Sequence, residues 1–186
     1  WNELKMKIKN CLFLLGAAMA VMSSSAFADT TGTQTFTANV TADTCTVDNL
    51  AITKNLATYT RAEIKNAGHD GKVLPGGFSH EFKVTNCPAS VSNMAVTLTY
   101  NVARQGKPAL DTVGTGKGVA LWLYQGTTGW GPANYWNSGV VKNFPISNGS
   151  GTAALHMMPY GWFPNGDSDI VAGSFTGVIN VSFDFT

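Results

Sequence analysis

The chain has 186 residues, of which 44% are hydrophobic and 12% are charged, and its formal net charge is +1 at pH 7. This length predicts one domain that can bury a hydrophobic core. The balanced charge excludes the basic stripe of a nucleic-acid-binding protein and a polybasic patch for a membrane surface.

The beginning of the sequence has the pattern of a secretory leader. Lys5, Lys7 and Lys9 precede an apolar run at 11–22, which is followed by small residues up to Ala28. This order predicts a signal peptide that is cleaved after Ala28. A membrane anchor is the alternative, although the run is short for a membrane span. The predicted mature chain has 158 residues and a net charge of about −1.

Three cysteines are present, and Cys11 belongs to the leader. Cys45 and Cys87 remain, and they are 42 residues apart. In an oxidising compartment two such cysteines predict a disulfide. A metal site on the same pair is the alternative, but no histidine is close to either cysteine in the sequence.

Beyond the leader, the chain reads as short strands separated by glycine-rich turns. Apolar and polar residues alternate with a period of two, which is typical of half-buried strands. Residues 118–126 are apolar on both faces, and 153–163 are predicted as a weaker strand that is interrupted at Pro159. The single helix-like stretch, 61–68, is short and ends at a glycine. The predicted strands are 34–47, 80–87, 94–102, 118–126, 153–163 and 174–186.

The last predicted strand, SFTGVINVSFDFT, has one apolar and one mostly polar face. Frequent short strands with turns between them predict a β-sandwich. Counting the strands after Cys45 leaves an immunoglobulin-like sandwich one strand short, whereas the segment before Cys45 is a strand with no obvious partner. A missing strand and a spare strand in one chain suggest strand exchange between copies.

Four stretches in this order are similar to one family. Cys45 lies in TADTCTV, Cys87 lies in FKVTNCP, and GKGVALWLY has a glycine–valine–apolar pattern. AGSFTGVINVSFDFT has a glycine fourteenth from the end, alternating apolar residues and a penultimate aromatic residue. Together they resemble the subunits of chaperone–usher pili, the type 1 and P pilus pilin family. The tail departs from the family in one respect, since a phenylalanine stands where a tyrosine is common.

The resemblance implies an all-β fold, an incomplete immunoglobulin-like β-sandwich that lacks its last strand and is completed by donor-strand exchange. It divides the chain into upstream residues plus leader (1–28), a donor-strand extension (29–44) and a pilin domain (45–186). It also implies an acceptor groove and a donor strand. The groove residues are Gly173, Phe175, Ile179, Val181, Phe183 and Phe185, and the donor residues are Gly32, Gln34, Phe36, Ala38 and Val40.

The function that follows from the resemblance is a non-enzymatic structural subunit of a bacterial surface fimbria, which supports cell adhesion. Its expected partners are neighbouring pilus subunits, a periplasmic pilus chaperone and an outer-membrane usher, with no nucleic acid and no cofactor. The chain would be exported through the periplasm to the cell surface. Major and minor subunits are not distinguished by the sequence.

The segment 121–139 is unusually aromatic, which leaves a second function open. Trp130, Tyr135 and Trp136 are candidates for stacking on sugar rings, because amphipathic aromatic side chains are frequent in contact surfaces. The chain would then be a minor or tip-associated subunit that binds a host glycan. The alternative is that these rings pack in the core or against a neighbouring subunit.

Catalysis and metal binding have little support in the sequence. Its three histidines are scattered, and no Gly-x-Ser-x-Gly motif is present to pair with them as a hydrolase triad. Asp167 and Asp169 could contribute to a calcium site, but further acidic ligands at useful spacing are missing, and a solvated turn is the simpler interpretation.

Overall fold

A computed structural model describes residues 30–40, 45–50, 53–70, 72–127 and 131–186, with the side chains at 30, 31, 36–40 and 53 left out of the description. The predicted leader and Trp130 lie outside these ranges. The strands are β1 Thr30–Val40, β2 Thr46–Asp48, β3 Thr53–Tyr59, β4 Phe78–Thr85, β5 Asn93–Thr99, β6 Ala109–Leu110, β7 Val113–Gly114, β8 Val119–Gln125, β9 Val141–Pro145, β10 Gly151–Gly161 and β11 Ser174–Phe185, and the helix α1 is Arg61–Ala67.

The strands form two sheets that face each other. The first sheet has the order β3-β1-β11-β5-β9, with β7 paired to the beginning of β11. The second sheet has the order β2-β4-β10-β8-β6. Hydrophobic side chains from both inner faces form one core, as expected for an aligned β-sandwich.

The period-two patterns predict the inward faces well. On β5, Met94, Val96 and Leu98 are fully buried, while the residues between them are partly or fully exposed. On β11 the odd-numbered residues from Phe175 to Phe183 are buried and the even-numbered residues are largely exposed. The two sheets meet where the rings of Phe82 and Phe183 lie edge to face, 5.4 Å between centroids. The strand prediction for the tail is therefore confirmed.

The predicted short helix is also confirmed. Its N-terminus is stabilised by a capping box, in which Thr60 accepts from the backbone N–H of Glu63 and the Glu63 carboxylate accepts from the N–H of Thr60. The bond from the Thr60 N–H and, secondarily, a bond from the Thr60 hydroxyl to this carboxylate lower the pKa of Glu63. Ile64 anchors the helix in the core. Among the described residues, no helix has the length and apolar character needed to cross a membrane.

Two strand predictions are wrong in detail. Residues 34–47 are not one strand, because β1 lies in the first sheet and β2 in the second. β10 runs through Pro159 without interruption. The carbonyl of Pro159 accepts from the N–H of Leu74, and N–H and C=O of one residue point to the same side of a strand. The side of Pro159 that lacks an N–H therefore faces away from β8. It faces the edge of β10 beyond the end of β4, so the ladder with β8 is kept.

Four strands were missed by the pattern, and two of them, β6 and β7, have only two residues each. β3 and β9 contain lysine, asparagine and few apolar residues, so they show no clear alternation. Both lie at the edges of the first sheet. Edge strands bury little of their surface, and their pairing is decided by the backbone of the neighbouring strand.

The predicted disulfide between Cys45 and Cys87 is confirmed. It joins the residue before β2 to the second residue after β4, and their Cα atoms are 4.4 Å apart. β2 and β4 pair beside it, from Thr46 with Thr85 to Asp48 with Lys83. The bond thereby fixes the point at which the N-terminal extension leaves the sandwich.

Candidate strand-acceptor groove

β1 occupies a slot between two strands of the first sheet. On one side it pairs in parallel with β11, from Thr31 opposite Ser174 to Val40 opposite Phe183. On the other side it pairs antiparallel with β3. Within the part of the chain that the structure describes, β1 is the one strand that pairs with β3, and β1–β11 is the one parallel ladder. The N-terminal extension therefore completes a sheet that the rest of the chain leaves open.

The predicted acceptor residues line β11 beneath this slot. Phe175, Ile179, Val181 and Phe183 are at most 1% exposed. Gly173 and Phe185, at the two ends, are partly exposed. Gly177, which shares their parity, is also buried and was not included in the predicted groove. The position of Gly177 in the alternation could have indicated that it faces the groove. It was left out because glycine contributes no apolar side chain to such a pattern.

Gly32 and Phe175 form the first of two small–large pairs. They are opposite each other in the β1–β11 ladder. A Cβ atom at position 32 would overlap the Phe175 ring, so the ring fills the space that a side chain would need. The sequence had placed Gly32 in the donor set, and here it lies against the chain's own groove.

Gln34 and Gly177 form the second pair, with the sizes reversed. They too are opposite in the ladder. A Cβ atom at position 177 would overlap the Gln34 amide oxygen and would lie 2.8 Å from a methyl carbon of Leu110. Gly177 and Leu110 therefore bound a pocket that accepts a long side chain. A shift of β1 by two residues would break both pairs, so the pairs select this register.

Gln34 is the one polar side chain that is fully buried among the described residues. Its Nε2 donates to the Thr35 carbonyl at 3.2 Å, whereas its Oε1 has no hydrogen-bond partner within the described structure. A buried acceptor without a partner costs about 1–3 kcal/mol. Gln34 therefore fits the pocket by its shape, but burial of its unpaired amide oxygen destabilises the fold.

We predict that Gln34→Met increases the free energy of unfolding by about 1–2 kcal/mol, because methionine has a similar length and has no amide to desolvate. Urea denaturation of the purified exported protein measures the change. Gln34→Ala is the matched control, and it should destabilise because it leaves the pocket empty. A Gln34→Met variant no more stable than the parent would contradict this account.

Tyr59 closes the groove at the Phe175 end. Its ring stacks on Phe175 with 6.3 Å between centroids, and its hydroxyl donates to the Pro75 carbonyl at 2.6 Å. Burial and, secondarily, the charge of Glu63 raise the pKa of Tyr59 to about 12. The phenol therefore stays neutral and remains a donor at physiological pH. Tyr59 was absent from the predicted site because β3 itself was not predicted.

Gly173 lies in the turn that leads into β11, and its lack of a side chain allows the turn to form. Its φ is +153°, a conformation that residues with a side chain rarely adopt, and a Cβ there would lie 2.6 Å from the backbone nitrogen of Gly116. Next to it, the N–H of Gly116 donates to the Ser174 carbonyl at 2.8 Å. Gly173 thus allows the 115–116 backbone to close over the beginning of the groove.

Of the three predicted glycan contacts, the structure describes Tyr135 and Trp136. Trp136 is fully buried, and its indole N–H donates to the Val140 carbonyl at 3.1 Å. Its ring has no free face for an external sugar, so its prediction as a glycan contact is wrong. Tyr135 is half-buried and stacks on Trp122 with 5.8 Å between centroids. The sequence could not separate Trp136 from Tyr135, because neighbours in an irregular loop have no fixed periodicity.

We predict that Trp136→Ala lowers the free energy of unfolding by about 3–5 kcal/mol, since it removes a large buried ring and one hydrogen bond. The Tyr100 hydroxyl, which donates to the Trp136 carbonyl at 2.8 Å, would lose the packing that orients this bond. Tyr135→Ala, at the half-exposed neighbour, is the control and should cost far less. Thermal unfolding of both variants distinguishes a core residue from a surface contact. Equal losses of stability would contradict the assignment of Trp136 to the core.

The two acidic residues considered for calcium binding have other partners. Asp167 forms an ion pair with Lys65 on α1, and the Asp169 carboxylate accepts from the backbone and side chain of Asn165. Across the described ranges, no three histidine, cysteine or acidic side chains lie together as metal ligands. These contacts stabilise a turn.

Comparison with known proteins finds similarity in the fold but no match in the sequence. No family model matches the sequence, and no curated protein matches it either. In three dimensions, the chain is similar to the P pilus rod subunit PapA, with a TM-score of 0.60 and 14% identity over 77% of this chain and 99% of that one. It is also similar to a chain in the structure of a chaperone–usher pilus, with a TM-score of 0.61 and 13% identity over 80% and 91% of the two chains. The chain has the pilin fold.

The comparisons agree with the fold class that was predicted from the sequence. The predicted all-β, immunoglobulin-like class is confirmed by the two sheets and by these two similar structures. Identities of 13–14% mean that the likeness lies in the backbone layout and not in shared side chains.

Proposed function

We propose that this chain is a structural, non-enzymatic subunit of a bacterial surface fimbria of the chaperone–usher type, which polymerises when the extension of one copy enters the groove of the next. The observation that carries the proposal is the position of β1. Residues 30–40 fill a slot between β3 and β11, two strands that do not pair with each other in the described structure. The pilin fold adds support from the backbone as a whole.

An inserted strand of this kind can be replaced by an equivalent one from another molecule. Its affinity comes from backbone hydrogen bonds to both neighbours, and its specificity comes from alternate side chains that enter pockets. Both features are present at β1, since it forms two ladders and its residues Gly32 and Gln34 enter the groove. The vacant edges that removal of β1 would leave are an aggregation hazard, which a periplasmic pilus chaperone would cover until the next subunit arrives at an outer-membrane usher.

The proposed location follows from the same assembly. The chain would be exported by its predicted leader, pass through the periplasm and remain outside the cell as part of a fibre. Its contribution to cell adhesion would be to form the body of the fibre. The proposed acceptor residues are Gly173, Phe175, Ile179, Val181, Phe183 and Phe185, and the proposed donor residues are Gly32, Gln34, Phe36, Ala38 and Val40.

The test is polymer growth by the purified exported protein. Samples at low and high concentration are held just below the thermal midpoint, so that partial opening would release β1, and fibres are counted by electron microscopy. We expect growth that rises with protein concentration and stops when a peptide of residues 30–40 is added in excess. The same peptide with Phe36→Asp is the control and should not stop growth. A protein that stays monomeric at every concentration would refute the proposal.

A glycan-binding minor or tip-associated subunit is the second candidate. The observation in its favour is the stacked pair of half-buried rings, Tyr135 and Trp122, with the Lys107 ammonium 5.6 Å from the Tyr135 ring centre. Aromatic faces beside a donor suit sugar rings. Glycan-array binding by the parent and by Tyr135→Ala tests it, and the candidate requires binding that the variant loses.

A further inference from the structure

A cavity of about 450 Å³ lies beside the beginning of β11, on the side that β1 does not occupy. It opens between β7, the turn from β7 to β8 and the residues that follow β10. β7 pairs with one edge of β11 there, and β1 pairs with the other edge. The volume is typical of small-molecule sites, which range from about 300 to 1,000 Å³. The lining residues are 111–114, 116–119, Trp162 and Asp169.

Trp162 forms the aromatic wall of this cavity. It is half-buried, and its indole packs against His69 and Tyr160 with 4.7 and 6.3 Å between ring centroids. Its backbone N–H donates to the Gly118 carbonyl at 2.9 Å, which fixes it against the turn before β8. Within the described structure the indole N–H has no acceptor. Trp162 therefore offers an apolar ring and an unused hydrogen-bond donor.

Two charges of opposite sign line the same cavity. Asp111 and Lys117 are both exposed, and within the described part of the chain neither side chain forms an ion pair or a hydrogen bond. Asp169 is half-buried, and its carboxylate is held by the backbone and side-chain N–H groups of Asn165 at 2.8 and 3.1 Å. The cavity thus presents an acceptor and a donor that folding does not use.

The walls are held in place by bonds that need no ligand. The N–H of Lys117 donates to the Val171 carbonyl at 2.9 Å, and the Lys117 carbonyl accepts from the N–H of Val171 at 3.2 Å. The Thr112 hydroxyl donates to the Val119 carbonyl at 2.7 Å. Because these segments are already ordered, a ligand would bind with a small cost in conformational entropy.

The chemistry of the lining selects a class of ligand. A carboxylate only accepts hydrogen bonds, whereas an ammonium and an indole N–H only donate, so a matching ligand must do both. It also needs an apolar face for the indole. A pyranose ring has both properties on one small rigid body. Two carboxylates against one ammonium disfavour an acidic sugar by charge repulsion.

We propose that this cavity binds a neutral hexose, whose ring lies on Trp162 and whose hydroxyls bond to Asp111 and Lys117. The cavity is separate from the Tyr135 contact considered above. The proposal goes beyond the structural role of the chain and does not depend on polymerisation.

The test is a titration of the purified exported protein, labelled with ¹⁵N, with glucose, galactose and mannose. Sugars are added to about 50 mM, since a site for one sugar ring is expected to have a Kd in the millimolar range. We expect at least one of them to shift the indole N–H signal of Trp162 saturably. Trp162→Phe assigns that signal. N-acetylneuraminic acid, which carries a carboxylate, should leave it unchanged.

Variants of the two unpaired charges locate the site without disturbing the core. Asp111→Ala should weaken binding about tenfold, because it removes a charged acceptor, and Lys117→Ala should weaken it by a smaller factor. Asp184→Ala is the matched control, since Asp184 is exposed at the far end of β11, opposite Ala95. Thermal midpoints of all three should stay within about 2 °C of the parent.

The outcomes separate this proposal from its alternatives. A Trp162 signal that none of the three hexoses shifts would overturn it, and so would equal affinity of the parent and Asp111→Ala. Binding that is lost in Tyr135→Ala and kept in Asp111→Ala would place the sugar at Tyr135 and overturn the cavity. Tighter binding of N-acetylneuraminic acid would overturn the assignment to a neutral sugar. Each of these results leaves the proposed polymerisation intact.

Discussion

Deleting residues 30–40 is expected to abolish cooperative folding of the exported chain. Phe175, Ile179, Val181 and Phe183 would lose their cover, and each large apolar side chain contributes about 1.5–3 kcal/mol when buried. Their sum is comparable with the whole stability of a typical domain, about 5–15 kcal/mol. β3 would also lose the one strand with which it pairs in the described sheet. Soluble yield and a melting transition measured by circular dichroism check the result.

Rescue distinguishes a missing strand from a damaged fold. A synthetic peptide of residues 30–40, present during refolding of the deletion variant, should restore a soluble protein with a sharp transition. The peptide with Phe36→Asp has the same length and should fail, because it offers a charge to an apolar groove. A deletion variant that melts cooperatively without peptide would show that the remaining strands close the sheet by themselves.

Replacing both Cys45 and Cys87 with alanine should lower the free energy of unfolding by about 4 kcal/mol. The bond closes a loop of 42 residues, and in the chain-entropy model a loop of this size constrains the unfolded chain by that amount. The substitution also releases the point from which the extension starts, so β1 should dissociate more readily. Denaturant unfolding of the oxidised parent and of the double variant gives the difference.

Chemical reduction is the control for the double substitution. Reduced parent protein has the native side chains without the bond, so it should match the alanine variant to within about 1 kcal/mol. Polymer growth of either form should be faster than that of the oxidised parent. Unchanged stability in both forms would mean that the Cys45–Cys87 disulfide contributes nothing to the closed groove.

The sandwich and its inward faces could be predicted because they depend on local periodicity. In β5 and β11, every second residue is apolar, and a strand turns alternate side chains to one side whatever its partners are. The cysteine pair and α1 were also predictable, the first from the compartment and the second from a short polar run that ends at a glycine. Prediction failed where structure depends on distant neighbours, as at β3, at Pro159 and at the buried Trp136.

The sequence by itself determined that this protein is a β-sandwich with an alternating last strand, an alternating extension and one disulfide. Only the tertiary structure decided where the extension lies and in which direction it runs. The physical reason is that strand pairing is a contact between remote segments, and β1 and β11 are about 140 residues apart. The register is selected by the pairs Gly32–Phe175 and Gln34–Gly177, and neither pair is visible until the two strands lie side by side.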